Sequence, residues 1–215
     1  LTAAGVEAAN YPFATIEPNV GVVPVPDERL DQLTSVIETR QVLPTTVEIL
    51  DIAGLVKGAS EGEGLGNQFL GHIRSVDAVL QVVRCFDDPD VTHVDGSVDP
   101  VRDIETIATE LALADLQVAE RRLDRLDRAA RSGDKAVVAE RDLVARVVAT
   151  LADGLPIRAE QWAPEQQPML RELQMITAKP VLYVCNVDES GLGGNDHTEA
   201  VWRKSAEDGA GMIII

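Results

Sequence analysis

The sequence predicts an α/β fold: a mainly parallel sheet, interrupted by a long helical excursion. Three observations carry this. Four short apolar runs read as strands, polar residues close three of them, and the stretch from about Pro100 to Thr177 contains no strand-like run at all. The runs are Val47–Asp51, Val79–Arg84, Val181–Asn186 and Met212–Ile215, made mostly of β-branched residues and leucine. Continuous rather than alternating apolarity predicts strands buried on both faces, as in a parallel sheet covered by helices. Asp51, Arg84 and Asn186 stand at the carboxyl ends of the first three, the edge at which open α/β sheets bind ligands. Val20–Val23, followed by Pro24 and Pro26, predicts a further strand near an edge, because proline cannot donate to a central ladder.

Within the excursion, Ile104, Ile107, Leu111, Ala114 and Val118 repeat at helical spacing, and Leu116, Leu123, Leu126 and Ala130 continue on a shifted stripe. Ser132-Gly133-Asp134 breaks the pattern, with Gly133 suited to a left-handed cap and Asp134 to an N-cap. Val137, Val144, Val147 and Leu151 then share one face of a second helix. Two amphipathic helices joined by a tight turn predict a helical hairpin, or a short coiled coil, projecting from the α/β body. Residues 1–99 and 178–215 are thus expected to form two parts of one α/β domain, with residues 100–177 inserted between them.

At 215 residues, 45% of them hydrophobic, the chain has material for one sizeable core. No apolar run nears the roughly 18 residues that cross a bilayer, and no signal-peptide pattern opens the chain, so a cytoplasmic protein with no membrane partner is expected. Cys85 and Cys185 each end an apolar run, where they are expected as small buried hydrophobes in a reducing compartment. A net charge of −17 repels a polyphosphate backbone, so no direct DNA binding is expected. Arg121, Arg122, Arg125, Arg128 and Arg131 are interleaved with Glu120, Asp124 and Asp127, which favours a solvated helix face over a nucleic-acid patch.

The residues with chemical potential cluster at the ends of the runs. Asp51-Ile52-Ala53-Gly54 comes directly off a strand, the context that a D-x-x-G phosphate switch requires. A strand-end aspartate can hold Mg²⁺, and the glycine amide reaches a γ-phosphate with no Cβ in the way. Gly58, Gly62, Gly64 and Gly66 follow in a stretch of little apolar content, a segment that a ligand could order. Upstream, Thr15 lies between Pro12 and Pro18, and its hydroxyl could complete the coordination of a nucleotide-bound Mg²⁺. Asn186-Val187-Asp188-Glu189 stands where a base-reading N-K-x-D would stand in a GTPase.

The segments N-Y-P-F-x-T-I-E-P-N-x-G-x-V-P-V-P-D (residues 10–27), D-I-A-G-L-V-K-G-A-S-x-G-E-G-L-G-N-x-F-L (51–70) and N-V-D-E (186–189) flank the helical excursion in that order. Together they closely resemble the YchF subfamily of Obg-type P-loop ATPases, over essentially the whole chain. The resemblance implies a Ras-like P-loop NTPase sheet with an inserted α-helical coiled-coil hairpin, and a C-terminal TGS domain that this chain is expected to lack. It implies Thr15 and Asp51 as magnesium ligands, Asp51 and Gly54 as the second-switch pair, and Asn186 and Glu189 as the base readers, with Val187 between them. Mg²⁺ is the implied cofactor, ATP the substrate, and the large ribosomal subunit the partner.

ATP is favoured over GTP on physical grounds. The aspartate that ends N-K-x-D accepts hydrogens from guanine N1 and N2, where adenine has no donor. The longer Glu189, with Val187 in the lysine position, removes that geometry, while Asn186 can still bond N7 and the exocyclic amine of adenine. Asp188 is one residue too early to take the aspartate's part. Leu55 follows Gly54 where Ras-like enzymes place a water-orienting glutamine, so another group must position water. His93, in the loop Asp87–Asp99, resembles the histidine of the family's mobile loop and is the candidate; His72 and His197 fall outside any such constellation.

No G-x-x-x-x-G-K-S phosphate loop occurs within the 215 residues: the glycines at 58–66 lack the Gly-Lys-Ser ending, and Lys57 precedes them. Since that loop grips the β- and γ-phosphates, the chain is expected to be a truncated form that binds ATP weakly. The readings in competition are an ATP-hydrolysing switch, a non-hydrolysing protein-interaction module, and a GTP-specific switch.

Overall fold

A computed structural model describes residues 19–52, 65–88 and 96–215 of the chain. The chain divides into two compact units, Leu1–Leu55 and Val56–Ile215.

In the first unit, β1 (Asn19–Pro24) and β2 (Thr46–Asp51) form an antiparallel pair registered from Asn19 opposite Asp51 to Pro24 opposite Thr46. Pro24 ends its strand, where its missing N–H removes no interior ladder bond. The first of the four apolar runs therefore departs from expectation: β2 pairs antiparallel with β1, and its Val47 is 50% exposed. Thr46 and Glu48 explain the difference, since an antiparallel ribbon can present polar residues to water whereas a covered parallel sheet cannot. Between the strands lies α1 (Glu28–Val36), which the apolar pattern did not announce because none of its residues is buried. Its signal is at the start: Asp27 accepts from the Arg29 backbone N–H at 3.0 Å, and Glu28 and Asp31 place negative charge in the first turn.

The described part of the second unit begins at α2 (Leu65–Ser75) and holds a three-stranded parallel sheet of β3 (Val79–Arg84), β4 (Val181–Asn186) and β5 (Gly211–Ile214), with β4 in the middle. Tyr183, Val184 and Cys185 are consecutive and all buried, so β4 is enclosed on both faces as its sequence predicts. On β3 the prediction fails for Leu80 and Val82, which are 41% and 58% exposed; among the described residues β3 is an edge of this sheet. The other sheet face carries Val83, Tyr183 and Cys185, packed on Ile104 of α3 (Pro100–Ala129) and Val201 of α6 (Asp196–Glu207). Cys85 and Cys185 are buried free thiols, as expected; the neighbouring Cys185 sulfur and then burial push the Cys85 thiol up, away from the reactive thiolate.

Asp99 caps α3 by accepting from the Arg102 N–H at 3.1 Å, and Pro100 sits in the first turn, where a missing N–H is harmless. The turn after α3 follows the sequence closely. Gly133 has φ 76°, in the left-handed region, and Asp134 accepts from the Ala136 N–H at 2.8 Å to start α4 (Lys135–Ala152). Leu143, Val147 and Leu151 of α4 join Ala119 of α3 in a buried cluster, which Ile157, Leu170 of α5 (Gln167–Leu173) and Met175 complete. Arg122 and Glu140 pair across the two long helices. No described helix is long and apolar enough to cross a membrane.

One residue of α3 contradicts its place between the apolar stripes. Asp115 is fully buried: it accepts from the Thr177 backbone N–H at 2.8 Å and the Thr177 hydroxyl at 2.9 Å, and stands 3.5 Å from the Arg74 guanidinium. Burial raises its carboxyl above the ordinary range, opposed by these donors, the Ile176 N–H and Arg74. Nearby, the Lys179 ammonium donates to the carbonyls of Arg74, at 3.0 Å, and Val76, at the end of α2. That places a cation where a helix C-terminus favours one.

Candidate functional site

The sheet register sets Arg84 opposite Asn186 at the carboxyl edge. The backbone beyond that edge is tightly bonded. Cys85 N–H donates to the Asn186 carbonyl at 2.8 Å, Val187 N–H to Ile215 at 3.1 Å, and Ile215 N–H to Cys185 at 2.9 Å. Asn186 is thereby fixed through its main chain while its side chain is exposed. Val187 is half-buried and packs against the cluster under the sheet, a role that a lysine at this place could fill only with its stem.

Asp188 begins a short 3₁₀ turn, Glu189–Gly193, and is committed to it: its Oδ1 accepts from the Gly191 N–H at 2.8 Å and the Ser190 hydroxyl at 2.9 Å. Glu189 is exposed. The edge therefore leaves an amide at 186 and a carboxylate at 189 exposed, with the intervening carboxylate occupied locally.

One neighbour was not read from the sequence. Asn195 caps α6, its Oδ1 accepting from the Thr198 N–H at 2.9 Å, and its Nδ2 donates to the Cys85 carbonyl at 2.8 Å. The capping residue and the polar residue three positions on were the available signal. Arg84, whose strand-end position suggested a ligand contact, is instead engaged by its own loop. Its guanidinium donates to the carbonyls of Phe86 at 3.0 Å and Asp88 at 3.1 Å, and lies 4.7 Å from the Phe86 ring centre. His197 approaches Asp87 at 3.2 Å and so ties α6 to the same loop.

In the first unit, Asp51 is exposed at the end of β2, opposite Asn19. Thr15, Gly54, Leu55 and His93 lie outside the described residues. Among the described residues no three His, Cys, Asp or Glu side chains gather as a metal cage. A single solvent-facing strand-end carboxylate still fits Mg²⁺, which is commonly held by one or two carboxylates together with waters and substrate phosphates. A shallow groove of about 460 Å³ runs along α6, lined by Asn195, Thr198, Trp202 and Met212 among others; neither Asn186 nor Glu189 lines it.

The sheet order and the helices packed on it are those of an α/β protein, and the likeness to a solved structure at 38% identity makes it one of the P-loop GTPase fold. Residues 1–120 match the family model described as 50S ribosome-binding GTPase, and the chain belongs to that family. More particularly, it is similar along its whole length to the ribosome-binding ATPases YchF. It is 45% identical to that of Bacillus subtilis over 218 residues, covering 100% of this chain and 60% of the relative. It is 48% identical to that of Escherichia coli O157:H7 over 215 residues, covering 100% and 59%. The solved structure of the Schizosaccharomyces pombe YchF GTPase superposes with a TM-score of 0.78 at 38% identity, over 96% of this chain and 57% of that one. The chain thus spans about three fifths of the length of these curated relatives.

Proposed function

We propose that this chain is the nucleotide-reading core of an ATP-hydrolysing switch that works on the ribosome. Asn186 and Glu189 read the base, Asp51 with Thr15 holds the nucleotide-bound Mg²⁺, and the Gly54 amide meets the γ-phosphate. The observation that carries the reading is the carboxyl edge of β4, where Asn186 and Glu189 face solvent while Asp188 is consumed by its own turn. A longer carboxylate at 189 does not reproduce the aspartate geometry that selects guanine, and Asn186 suits the N7 and amino edge of adenine. When bound, Mg²⁺ supplies charge neutralisation at the β- and γ-phosphates. The names of the relatives, ribosome-binding ATPases, support both the nucleotide and the partner. We further propose residues 100–177, with the α3–α4 pair, as an inserted helical domain through which nucleotide state reaches that partner.

A GTP-specific switch is the second reading, favoured by the names of the matching family and of the fission-yeast relative, both of which say GTPase. Calorimetric titration with ATP and GTP in Mg²⁺ separates the two, carried out on this chain and on a form extended upstream through a G-x-x-x-x-G-K-S phosphate loop. The extended form is expected to bind ATP in preference to GTP, and this chain, with no such motif in its 215 residues, to bind ATP weakly. An extended form that ignored ATP or preferred GTP would refute the reading. For His93, replacement by alanine in the extended form is expected to lower turnover several-fold with ATP affinity nearly unchanged. Unaltered turnover would remove it from the water-positioning role.

A further inference from the structure

We propose that Asp188 and Gly191 are the positioning pair that sets where Glu189 presents its carboxylate relative to Asn186, and so sets nucleotide selectivity; the proposal rests on the base-reading role assigned above. Both belong to the turn that leaves β4, and neither side chain needs to touch a ligand. Asp188 adopts φ −78° and ψ 175°, an extended N-cap conformation, and its carboxylate holds the Gly191 N–H and the Ser190 hydroxyl. Residue 189 is therefore the first of the 3₁₀ turn, with its direction of departure fixed by the cap.

Gly191 is the point against which that turn is pressed. It is buried, and a Cβ there would lie 2.8 Å from Val187 Cβ, 3.0 Å from Asn195 Nδ2 and 3.1 Å from Asp188 Oδ1. Each of the three is held in place. Val187 is bonded through its N–H to Ile215 and packed on the cluster under the sheet; Asn195 is held by the Cys85 carbonyl; Asp188 is the cap itself. The Gly191 carbonyl also accepts from the Gly194 N–H at 2.8 Å, which carries the chain into the α6 cap. With any side chain at 191, the turn must shift against the strand end, and Glu189 moves with it while Asn186 stays held by its main-chain bonds.

The test uses three variants in the extended form: Asp188→Ala, Asp188→Asn and Gly191→Ala. ATP and GTP affinities are measured by calorimetry, alongside Tm by circular dichroism. Losing one or two net hydrogen bonds from the frame is expected to lower ATP affinity roughly three- to tenfold in Asp188→Ala and to shrink the ATP-over-GTP preference by a similar factor. Gly191→Ala is expected to do the same, and Asp188→Asn, which keeps the Oδ1 acceptor, to recover most of both. A purely structural role would lower Tm while leaving the ATP-to-GTP ratio as it was, and that result overturns the proposal. If Asp188→Asn proves as damaging as Asp188→Ala, the charge itself contacts the ligand, which also overturns it. An unmutated extended form that distinguishes neither nucleotide refutes the base-reading role itself, an outcome separable from the others because it appears before any substitution is made.

Discussion

Replacing Asp115 with alanine is expected to cost about 2–3 kcal/mol of unfolding free energy, the largest stability effect of any single polar change in the described part of the molecule. The carboxylate is fully buried, and its removal strands the Thr177 N–H and hydroxyl without their acceptor and leaves Arg74 without its partner. Asp115→Asn keeps an oxygen for Thr177 and is expected to be much milder. The two differ from wild type in pH dependence as well. Burial raises the folded pKa of Asp115 above its ordinary 3.8, so its contribution is fully present below that value and is lost as pH rises through the folded pKa, when charge is forced into the interior. Urea denaturation at a series of pH values should show wild type losing ground to Asp115→Asn on going upward from about pH 3.8. A constant difference across that range, or a cost below about 1 kcal/mol for the alanine variant, would count against a buried, charge-bearing role.

Shortening Glu189 to aspartate is expected to move nucleotide preference toward GTP by roughly thirtyfold, or about 2 kcal/mol, in the form extended through the phosphate loop. Reach decides the effect. An aspartate three residues after Asn186 can accept both hydrogens that guanine offers at N1 and N2, whereas the extra methylene of glutamate puts its oxygens elsewhere. The frame around position 189 does not change with the substitution, because its fixed points are Asp188, Gly191 and Asn195. Competition of ATP against GTP in the same titration reads the effect directly. An unchanged ratio would show that the carboxylate at 189 does not meet the base.

The parts of this structure legible in the sequence are those decided locally. The turn at Gly133-Asp134 is written in three residues and appears as written, with a left-handed glycine and a side-chain cap. Each strand lies where its apolar run lies, and Asn186 and Glu189 emerge at the carboxyl edge because a strand's end fixes the loop that follows it. What could not be read depends on partners distant along the chain. Asp115 looks like a solvated helix residue until Thr177, 62 positions later, is brought against it. Asn195 reads as a helix cap, and only the fold reveals that its amide also reaches Cys85, 110 positions earlier. Periodicity likewise could not say that β2 pairs antiparallel with β1, since Val47, Ile49 and Leu50 suit either kind of sheet and the choice rests on which strand lies alongside.

The contacts at the end of α2 have a mechanical consequence. Arg74 reaches into α3 while Lys179, just ahead of β4, grips the last carbonyls, so this helix is moored at its tail to two other parts of the unit. Its head, at Leu65, adjoins the glycine-rich stretch that leads from Asp51. Without the Lys179 ammonium, the Arg74 and Val76 carbonyls at that tail would lose their donor, and the mooring would rest on Arg74 alone.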